Sequence, residues 1–168
     1  MNPTVSIIMG STSDLPVMKK AADFLNSMQV PFEMIALSAH RTPDEVADFA
    51  HNAEARGVKV IIAGAGMAAA LPGVIAAITP LPVIGVPLGA TLMGQDALLS
   101  IAQMPPGIPV ATTGIDGAMN AAVLAVRILA LADTEIKLRY DAWRALLGEK
   151  IVKANESLRD VAYEFKTN

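Results

Sequence analysis

The sequence predicts an α/β fold in which a central parallel sheet is covered by helices on both faces. Two observations predict it. Short apolar runs alternate with segments of helical periodicity along most of the 168 residues, which is the element order of a parallel sheet with crossover helices. The runs are also apolar at successive positions, as strands buried on both faces are. A chain of this length fits one domain at the large end of the usual range.

Strands and helices alternate along the first four-fifths of the chain. The predicted strands are the apolar runs at 5–9, 32–37, 58–63, 83–86 and 108–112. The predicted helices have apolar or alanine residues at helical spacing, and they lie at 14–28, 43–56, 68–78, 96–103 and 116–132. Pro43 and Gly57 mark the start and the end of the second helix, because proline is favoured in a first turn and glycine follows a last turn.

The composition changes after Asp133. The remainder is rich in charged and helix-forming residues, with apolar points at Trp143, Leu146, Leu147, Ile151, Leu158 and Val161. No further strand follows for it to pair with. We therefore divide the single domain into an α/β core, residues 1–133, and a C-terminal helical extension, residues 134–168. The extension is expected to pack on the core or on a neighbouring subunit.

The composition also excludes several classes of protein. Apolar residues make up 53% and charged residues 17%, against roughly 25% charged in an average chain, which excludes intrinsic disorder. A net charge of -3 argues against a nucleic-acid partner, since such proteins carry a basic face. The lack of cysteine excludes disulfide scaffolds and cysteine-ligated metals. The N-terminal residues have no signal-peptide pattern, so a cytoplasmic location is expected.

One long stretch of the chain is almost uncharged. Asp96 is the only charged residue between Lys59 and Asp116. A membrane helix needs about 20 continuous apolar residues, and glycine and proline interrupt this stretch repeatedly. The stretch therefore predicts buried strands and helices, with no membrane partner. Its length also predicts that part of the surface is buried in a homo-oligomer.

Polar residues follow the first two predicted strands, where ligands of open parallel sheets bind. In loop 10–14, Ser11, Ser13 and Asp14 precede a helix N-terminus, which favours an anion such as phosphate; plain capping by Ser13 or Asp14 is the alternative. No lysine stands at the Walker position, which excludes a P-loop.

The loop after the second strand contains His40 and Arg41. Arginine can bind a phosphate bidentately, and histidine exchanges protons near neutral pH; a merely solvated turn is the alternative. Thr42 is expected to cap the second helix, with Glu45 at the capping-box spacing. The other histidine, His51, is expected on the solvated face of that helix.

Loop 64–69 matches G-x-G-x-x-A after a strand. A dinucleotide site needs an acidic residue about 20 positions later, and none occurs before Asp96. We therefore reject a nicotinamide site, while a glycine loop facing another ligand stays open. G-x-S-x-G is absent, which excludes that hydrolase motif, and two histidines in different settings do not make a metal site.

Several motifs in register carry a family resemblance over residues 5–145. The motifs are Gly10-Ser11-x-Ser13-Asp14, Ser38-Ala39-His40-Arg41-Thr42-Pro43, Ala63-Gly64-Ala65-Gly66, Leu71-Pro72-Gly73, Pro82-Val83-Ile84-Gly85-Val86-Pro87, Gln103-Met104-Pro105 and Gly107-Ile108-Pro109-Val110. In this order they resemble the microbial N5-carboxyaminoimidazole ribonucleotide mutases of purine biosynthesis. Arg41 after the histidine is similar to the microbial mutase branch of the family, since the branch that fixes carbon dioxide directly has lysine at this position.

The resemblance implies a flavodoxin-like three-layer fold, an octamer, and conversion of N5-carboxyaminoimidazole ribonucleotide to 4-carboxy-5-aminoimidazole ribonucleotide. It implies no ATP, metal or organic cofactor. It further implies roles for individual residues. The phosphate would be held by Ser11, Ser13 and Arg41, with Ser38 nearby. Asp14 would bind the ribose hydroxyls, and His40 would carry the proton. The pocket for the base and the carboxylate would be lined by Ala65, Gly66 and Leu71.

Two positions depart from the family pattern. Ala70 stands where a histidine is common, and loop 88–94 is one residue shorter than usual.

Three rival functions also remain. A phosphate- or flavin-binding module is disfavoured by an aromatic content of 4%. A purely structural subunit leaves His40 and Arg41 without a purpose. The direct carboxylase of the same family is the third rival, and an assay of the two substrates would separate it from the mutase.

Overall fold

Five parallel strands form one sheet in the order β2-β1-β3-β4-β5. The structure is a computed structural model, and it describes residues 2–168. The strands are β1 Val5–Met9, β2 Phe32–Ala36, β3 Val60–Gly66, β4 Val83–Leu88 and β5 Ala111–Thr112. The helices are α1 Leu15–Ser27, α2 Pro43–Asn52, α3 Leu71–Ile78, α4 Gln95–Ala102, α5 Ala118–Leu129 and α6 Thr134–Glu156. Short 3-10 helices lie at Thr12–Asp14 and Ser157–Asp160.

The strand order reverses at β1, which pairs with β2 on one side and with β3 on the other. Open α/β sheets bind ligands at such a reversal, and this order is the flavodoxin-like one. The carboxyl ends of these three strands lie close together, since Met9 at the end of β1 pairs with Ala36 on β2 and with Gly64 on β3. The loops that follow these three strands therefore leave the sheet at the same edge. The predicted fold class is confirmed.

Two apolar clusters cover the two faces of the sheet. Residues next to each other in a strand enter opposite clusters, as Ile7 and Ile8 do, because strand side chains alternate between faces. The first cluster joins the sheet to α1 and α5 through Met18, Leu25, Ala122 and Val126. The second joins it to α2, α3 and α4 through Val46, Phe49, Ile75 and Ile101. Both faces are buried, which explains the continuous apolar strands.

Several predicted boundaries are wrong, among them those of β3, which spans Val60–Gly66 rather than 58–63, and of α5, which spans Ala118–Leu129 rather than 116–132. β5 contains Ala111 and Thr112 alone, whereas 108–112 was expected, because Pro109 has no amide hydrogen for a sheet ladder. The second helix ends at Asn52 rather than at residue 56. The third begins at Leu71 rather than at residue 68, because the Ala69 amide donates to the Met67 carbonyl in a tighter turn and the first helical bond runs from the Val74 amide to the Ala70 carbonyl.

The first half of α6 packs on the core. The Asp133 carboxylate accepts the Ile136 amide at 3.0 Å and caps the helix. Ile136 and Tyr140 are buried, and Trp143 meets the Phe24 ring edge-on at a centroid distance of 4.9 Å.

The second half of α6 and the residues after it are exposed. They carry the large apolar side chains Leu146, Leu147, Ile151, Val152, Leu158, Val161, Tyr163 and Phe165. Within residues 2–168, no helix has both the length and the apolar character that crossing a membrane requires.

Candidate active site

A cavity of about 710 Å³ opens at the edge of the sheet where the loops after β1, β2 and β3 meet. The structure brings every residue of the predicted site to its lining: Ser11, Ser13, Asp14, Ser38, His40, Arg41, Ala65, Gly66 and Leu71. These residues are far apart in the chain and meet because β1 lies between β2 and β3. His51 is not part of the lining, and its side chain is exposed on α2.

The loop after β1 is ordered by a reciprocal cap. Ser11 is the N-cap of the 3-10 turn Thr12–Asp14, and its Oγ accepts the Ser13 amide at 3.3 Å. The Ser11 amide donates in return to Oδ2 of Asp14 at 3.1 Å. The alternative expectation of a side-chain cap on α1 by Ser13 or Asp14 is wrong, because Asp14 makes no such bond to α1. Capping uses the Ser11 oxygen as an acceptor, so its hydroxyl proton remains available to a ligand.

Asp14 is half-buried beneath this loop. Burial raises the pKa of its carboxyl above the ordinary value of 3.8, and hydrogen bonds from Ser11 and Ser13 together with the charge of Arg41 partly oppose the rise. The Ser13 hydroxyl donates to Oδ1 at 3.5 Å, which is a long bond. The Asp14 carboxylate thus accepts hydrogen bonds from the Ser11 amide and the Ser13 hydroxyl, which are donors that could also bind an anionic ligand.

The loop after β2 is closed by Thr42. Its hydroxyl donates to the Ser38 carbonyl at 3.1 Å and accepts the Ser38 amide at 2.9 Å. Thr42 is the N-cap of α2 but makes no side-chain bond to the helix amides. The capping box expected between Thr42 and Glu45 is therefore wrong, because the Thr42 hydroxyl is already bonded within the loop.

Arg41 connects the loops after β1 and β2. Its Nη2 donates to the Gly10 carbonyl at 3.4 Å, and its Nε donates to Ser38 Oγ at 3.4 Å. Both bonds are long, and a guanidinium has five N–H donors, so most of its binding capacity stays open. The ring of His40, beside it, is exposed and makes no hydrogen bond within the part of the chain that the structure describes. A cation and a free imidazole therefore share one rim of the cavity.

The opposite wall is apolar and closely packed. A Cβ at Gly66 would lie 3.4 Å from the Cβ of Ala90, an ordinary van der Waals distance, so the end of β3 lies next to the loop after β4. Ala68, Ala69, Ala70 and Leu71 continue this wall. Ala70 contributes only a methyl group at the position where the resemblance leads one to expect a histidine.

Seven further residues line the cavity that the predicted site did not include: Gly10, Ala39, Met67, Ala68, Ala69, Ala70 and Ala90. Met67 adopts a left-handed backbone with φ of 57°, which is uncommon for a residue with a side chain. Its place inside the glycine loop was the available signal. Ala90 carries no chemical signal, and only the position of its loop at the same sheet edge could have indicated it.

Comparison with known proteins gives consistent matches. The sequence profile of the family described as AIR carboxylase matches residues 4–150. A Pyrococcus abyssi protein named N5-carboxyaminoimidazole ribonucleotide mutase is 60% identical over 143 residues, which are 84% of this chain and 82% of that protein. A Bacillus subtilis protein of the same name is 51% identical over 161 residues, covering 94% and 99%. The crystal structure of Treponema denticola PurE superposes with a TM-score of 0.85 at 30% identity, covering 93% of this chain and 98% of that one.

Proposed function

The chain belongs to the AIR carboxylase family, and on that premise we propose that it is a mutase of purine biosynthesis. The enzyme converts N5-carboxyaminoimidazole ribonucleotide to 4-carboxy-5-aminoimidazole ribonucleotide, the reaction in the names of its relatives from Pyrococcus abyssi and Bacillus subtilis. The observation that carries the proposal is the single cavity that joins His40, Arg41 and the serine loop to an apolar wall.

The substrate phosphate binds at the polar rim. The hydroxyls of Ser11 and Ser13 and the guanidinium of Arg41 face one cavity, and Ser38 holds the guanidinium through Nε. Hydroxyl donors and a planar cation together suit a phosphate. Asp14, beside them, takes the ribose hydroxyls. The imidazole base then reaches the apolar wall of Ala65, Gly66 and Leu71, where the reaction occurs.

His40 carries one proton through the reaction. As an imidazolium it protonates the exocyclic nitrogen while the bond from that nitrogen to the carboxyl carbon breaks and carbon dioxide is released. Ring carbon 4 then uses its electron pair to attack carbon dioxide. Neutral His40 removes the proton from carbon 4, which restores the aromatic ring. One proton is donated and one recovered, so a single acid/base group serves both halves.

The apolar wall keeps carbon dioxide close to carbon 4. Ala65, Ala69 and Leu71 are buried and line the cavity, so they offer the released molecule little water. Holding two reactants in contact raises their effective concentration by several orders of magnitude. This wall is also part of the nearly uncharged stretch of sequence, which gives that stretch a chemical purpose.

An isotope experiment tests the reaction and separates it from direct carboxylation. The purified protein is given N5-carboxyaminoimidazole ribonucleotide in buffer containing ¹³C-bicarbonate, without ATP. We expect 4-carboxy-5-aminoimidazole ribonucleotide with an unlabelled carboxyl group. Turnover only of aminoimidazole ribonucleotide with bicarbonate would overturn the mutase proposal. A labelled product from the N-carboxylated substrate would overturn retention of carbon dioxide.

The enzyme assembles as an octamer. Leu146, Ile151 and Phe165 are exposed on the C-terminal extension, as are Leu99 and Met119 on α4 and α5. Large apolar side chains exposed on three elements support subunit contacts, and closed symmetry is the usual outcome.

A further inference from the structure

Asp14 poses an electrostatic problem at the proposed phosphate subsite. Its half-buried carboxylate lines the same cavity as Ser11, Ser13 and Arg41. A phosphate bound in this cavity and the Asp14 carboxylate would repel one another in a partly buried setting. A carboxylate here must therefore contribute something that offsets the repulsion, and its hydrogen bonds show what that is.

We propose that Asp14 is a positioning residue for the phosphate subsite, whose carboxylate holds Ser11 and Ser13 where their hydroxyls meet the phosphate. The inference rests on the proposed function and adds a role to the ribose contact. Its basis is the reciprocal pair in which the Ser11 amide donates to Asp14 and the Ser13 amide donates to Ser11 Oγ.

These two bonds fix the loop from both sides. The carboxylate anchors the Ser11 backbone at 3.1 Å, and the Ser13 amide orients the Ser11 hydroxyl oxygen at 3.3 Å. The remaining bond, from the Ser13 hydroxyl to Oδ1 at 3.5 Å, is weak enough to be exchanged for a phosphate oxygen. Arg41 connects to the same loop, because its Nη2 donates to the Gly10 carbonyl.

The arrangement also determines which donors reach the phosphate. The Ser11 amide is occupied by Asp14, so this loop does not bind an anion through that backbone group, as the amides of glycine-rich phosphate loops do. The serine hydroxyls and the guanidinium remain. Phosphate affinity should therefore depend on an acceptor oxygen at position 14 rather than on a negative charge there.

The test measures binding of inorganic phosphate, which has no ribose, by calorimetry or by NMR titration. Asp14→Ala removes the acceptor, and Asp14→Asn keeps an acceptor oxygen without the charge. We expect Asp14→Ala to weaken phosphate binding at least about five-fold, the scale of a lost cap, and to raise KM more than it lowers kcat. Asp14→Asn should bind phosphate as tightly as the wild type or more tightly.

Asp133→Ala is the matched control. It removes a carboxylate cap of the same kind from α6, outside the cavity lining, so stability should fall while phosphate affinity stays unchanged. If Asp14→Ala does not fold, Asp14→Glu replaces it, since the longer side chain displaces the carboxylate from the Ser11 amide and should weaken phosphate binding.

Two outcomes would overturn the inference: unweakened phosphate binding in Asp14→Ala, or equal weakening in Asp14→Ala and Asp14→Asn. Saturable phosphate binding by the wild type is expected. Its absence would overturn the proposed phosphate subsite, and this inference with it, while the isotope experiment reports on the reaction separately.

Discussion

His40 is the residue on which the proposed chemistry depends. Its ring is exposed and lines the cavity, so replacing it removes the acid/base group without disturbing the core. We expect His40→Asn to lower kcat by at least about 100-fold, the usual contribution of such a group, with KM changed much less. His51→Asn, on α2, is the control and should keep full activity. More than a tenth of wild-type kcat in His40→Asn would remove His40 from the mechanism.

Arg41 tests the phosphate end of the cavity. Arg41→Ala removes a cation from a part of the substrate that does not react, so the main effect should be a rise in KM of about 10-fold or more, with some fall in kcat from poorer orientation. Arg144→Ala, an exposed arginine on α6, is the matched control. Unchanged affinity for the ribonucleotide in Arg41→Ala would mean that the phosphate binds elsewhere.

Asp14 predicts a particular dependence of stability on pH. Burial raises the pKa of its carboxyl above 3.8 in the folded chain, so ionising it is less favourable there than in the unfolded chain. Its contribution to folding is full below pH 3.8 and is lost as the pH rises through the folded pKa. The free energy of unfolding of Asp14→Asn, relative to wild type, should therefore increase across that window and level off above it. A relative value that falls with rising pH in urea unfolding would contradict this.

At the residue scale the sequence predicted which residues meet in the cavity better than it predicted their hydrogen bonds. Chemical type and position after a strand indicated His40, Arg41 and the serines. The partners of Thr42 depended on how loop 38–42 folds back on itself, which spacing to Glu45 alone does not encode. The roles assigned to these residues stay predictions until the variants are measured.

Among the elements, β4 has a position, Gly85, at which added volume meets branched core side chains. A Cβ at Gly85 would overlap Cγ2 of Ile101 and would lie 3.0 Å from Cγ1 of Val110, and branched side chains in a packed core have little freedom to move away. Gly85→Ala should reduce the free energy of unfolding by about 1–3 kcal/mol, measured by urea denaturation. Gly114→Ala, where a Cβ meets nothing within 4 Å, should change it little. Equal stabilities for the two variants would show that α4 can shift.

Elements were predictable where a pattern repeats and less so where single residues decide. Apolar runs identified β1 to β4, and helical spacing identified α1, α2 and α5. The start of α3 depended on the tight turn in which the Ala69 amide donates to the Met67 carbonyl, and the shortness of β5 on Pro109. Both are local backbone constraints that an average over a window of residues does not register.

At the scale of the whole molecule, the exposed end of the C-terminal extension should govern assembly. Residues 144–168 contribute no buried side chain to the described chain, whereas Ile136 and Tyr140 do. Deleting 145–168 should therefore leave thermal unfolding of the single chain nearly unchanged while lowering the mass measured by light scattering. Lys150→Ala, on the same helix, should keep the octamer. An unchanged mass after the deletion would assign the contacts to other surfaces.

The cavity lining ends at Ala90, and within residues 2–168 no later residue contributes to it. The residues proposed for the chemistry thus lie in the first half of the chain, and most of the exposed large apolar side chains lie in the second. A chimera of two relatives joined just after residue 90 would inherit its reaction from one parent and its quaternary contacts from the other. The junction is constrained by the shared interior, because Ala122 of α5 packs in one cluster with Met18 of α1. Such a chimera should therefore fold only when α1 from one parent packs well against α5 from the other.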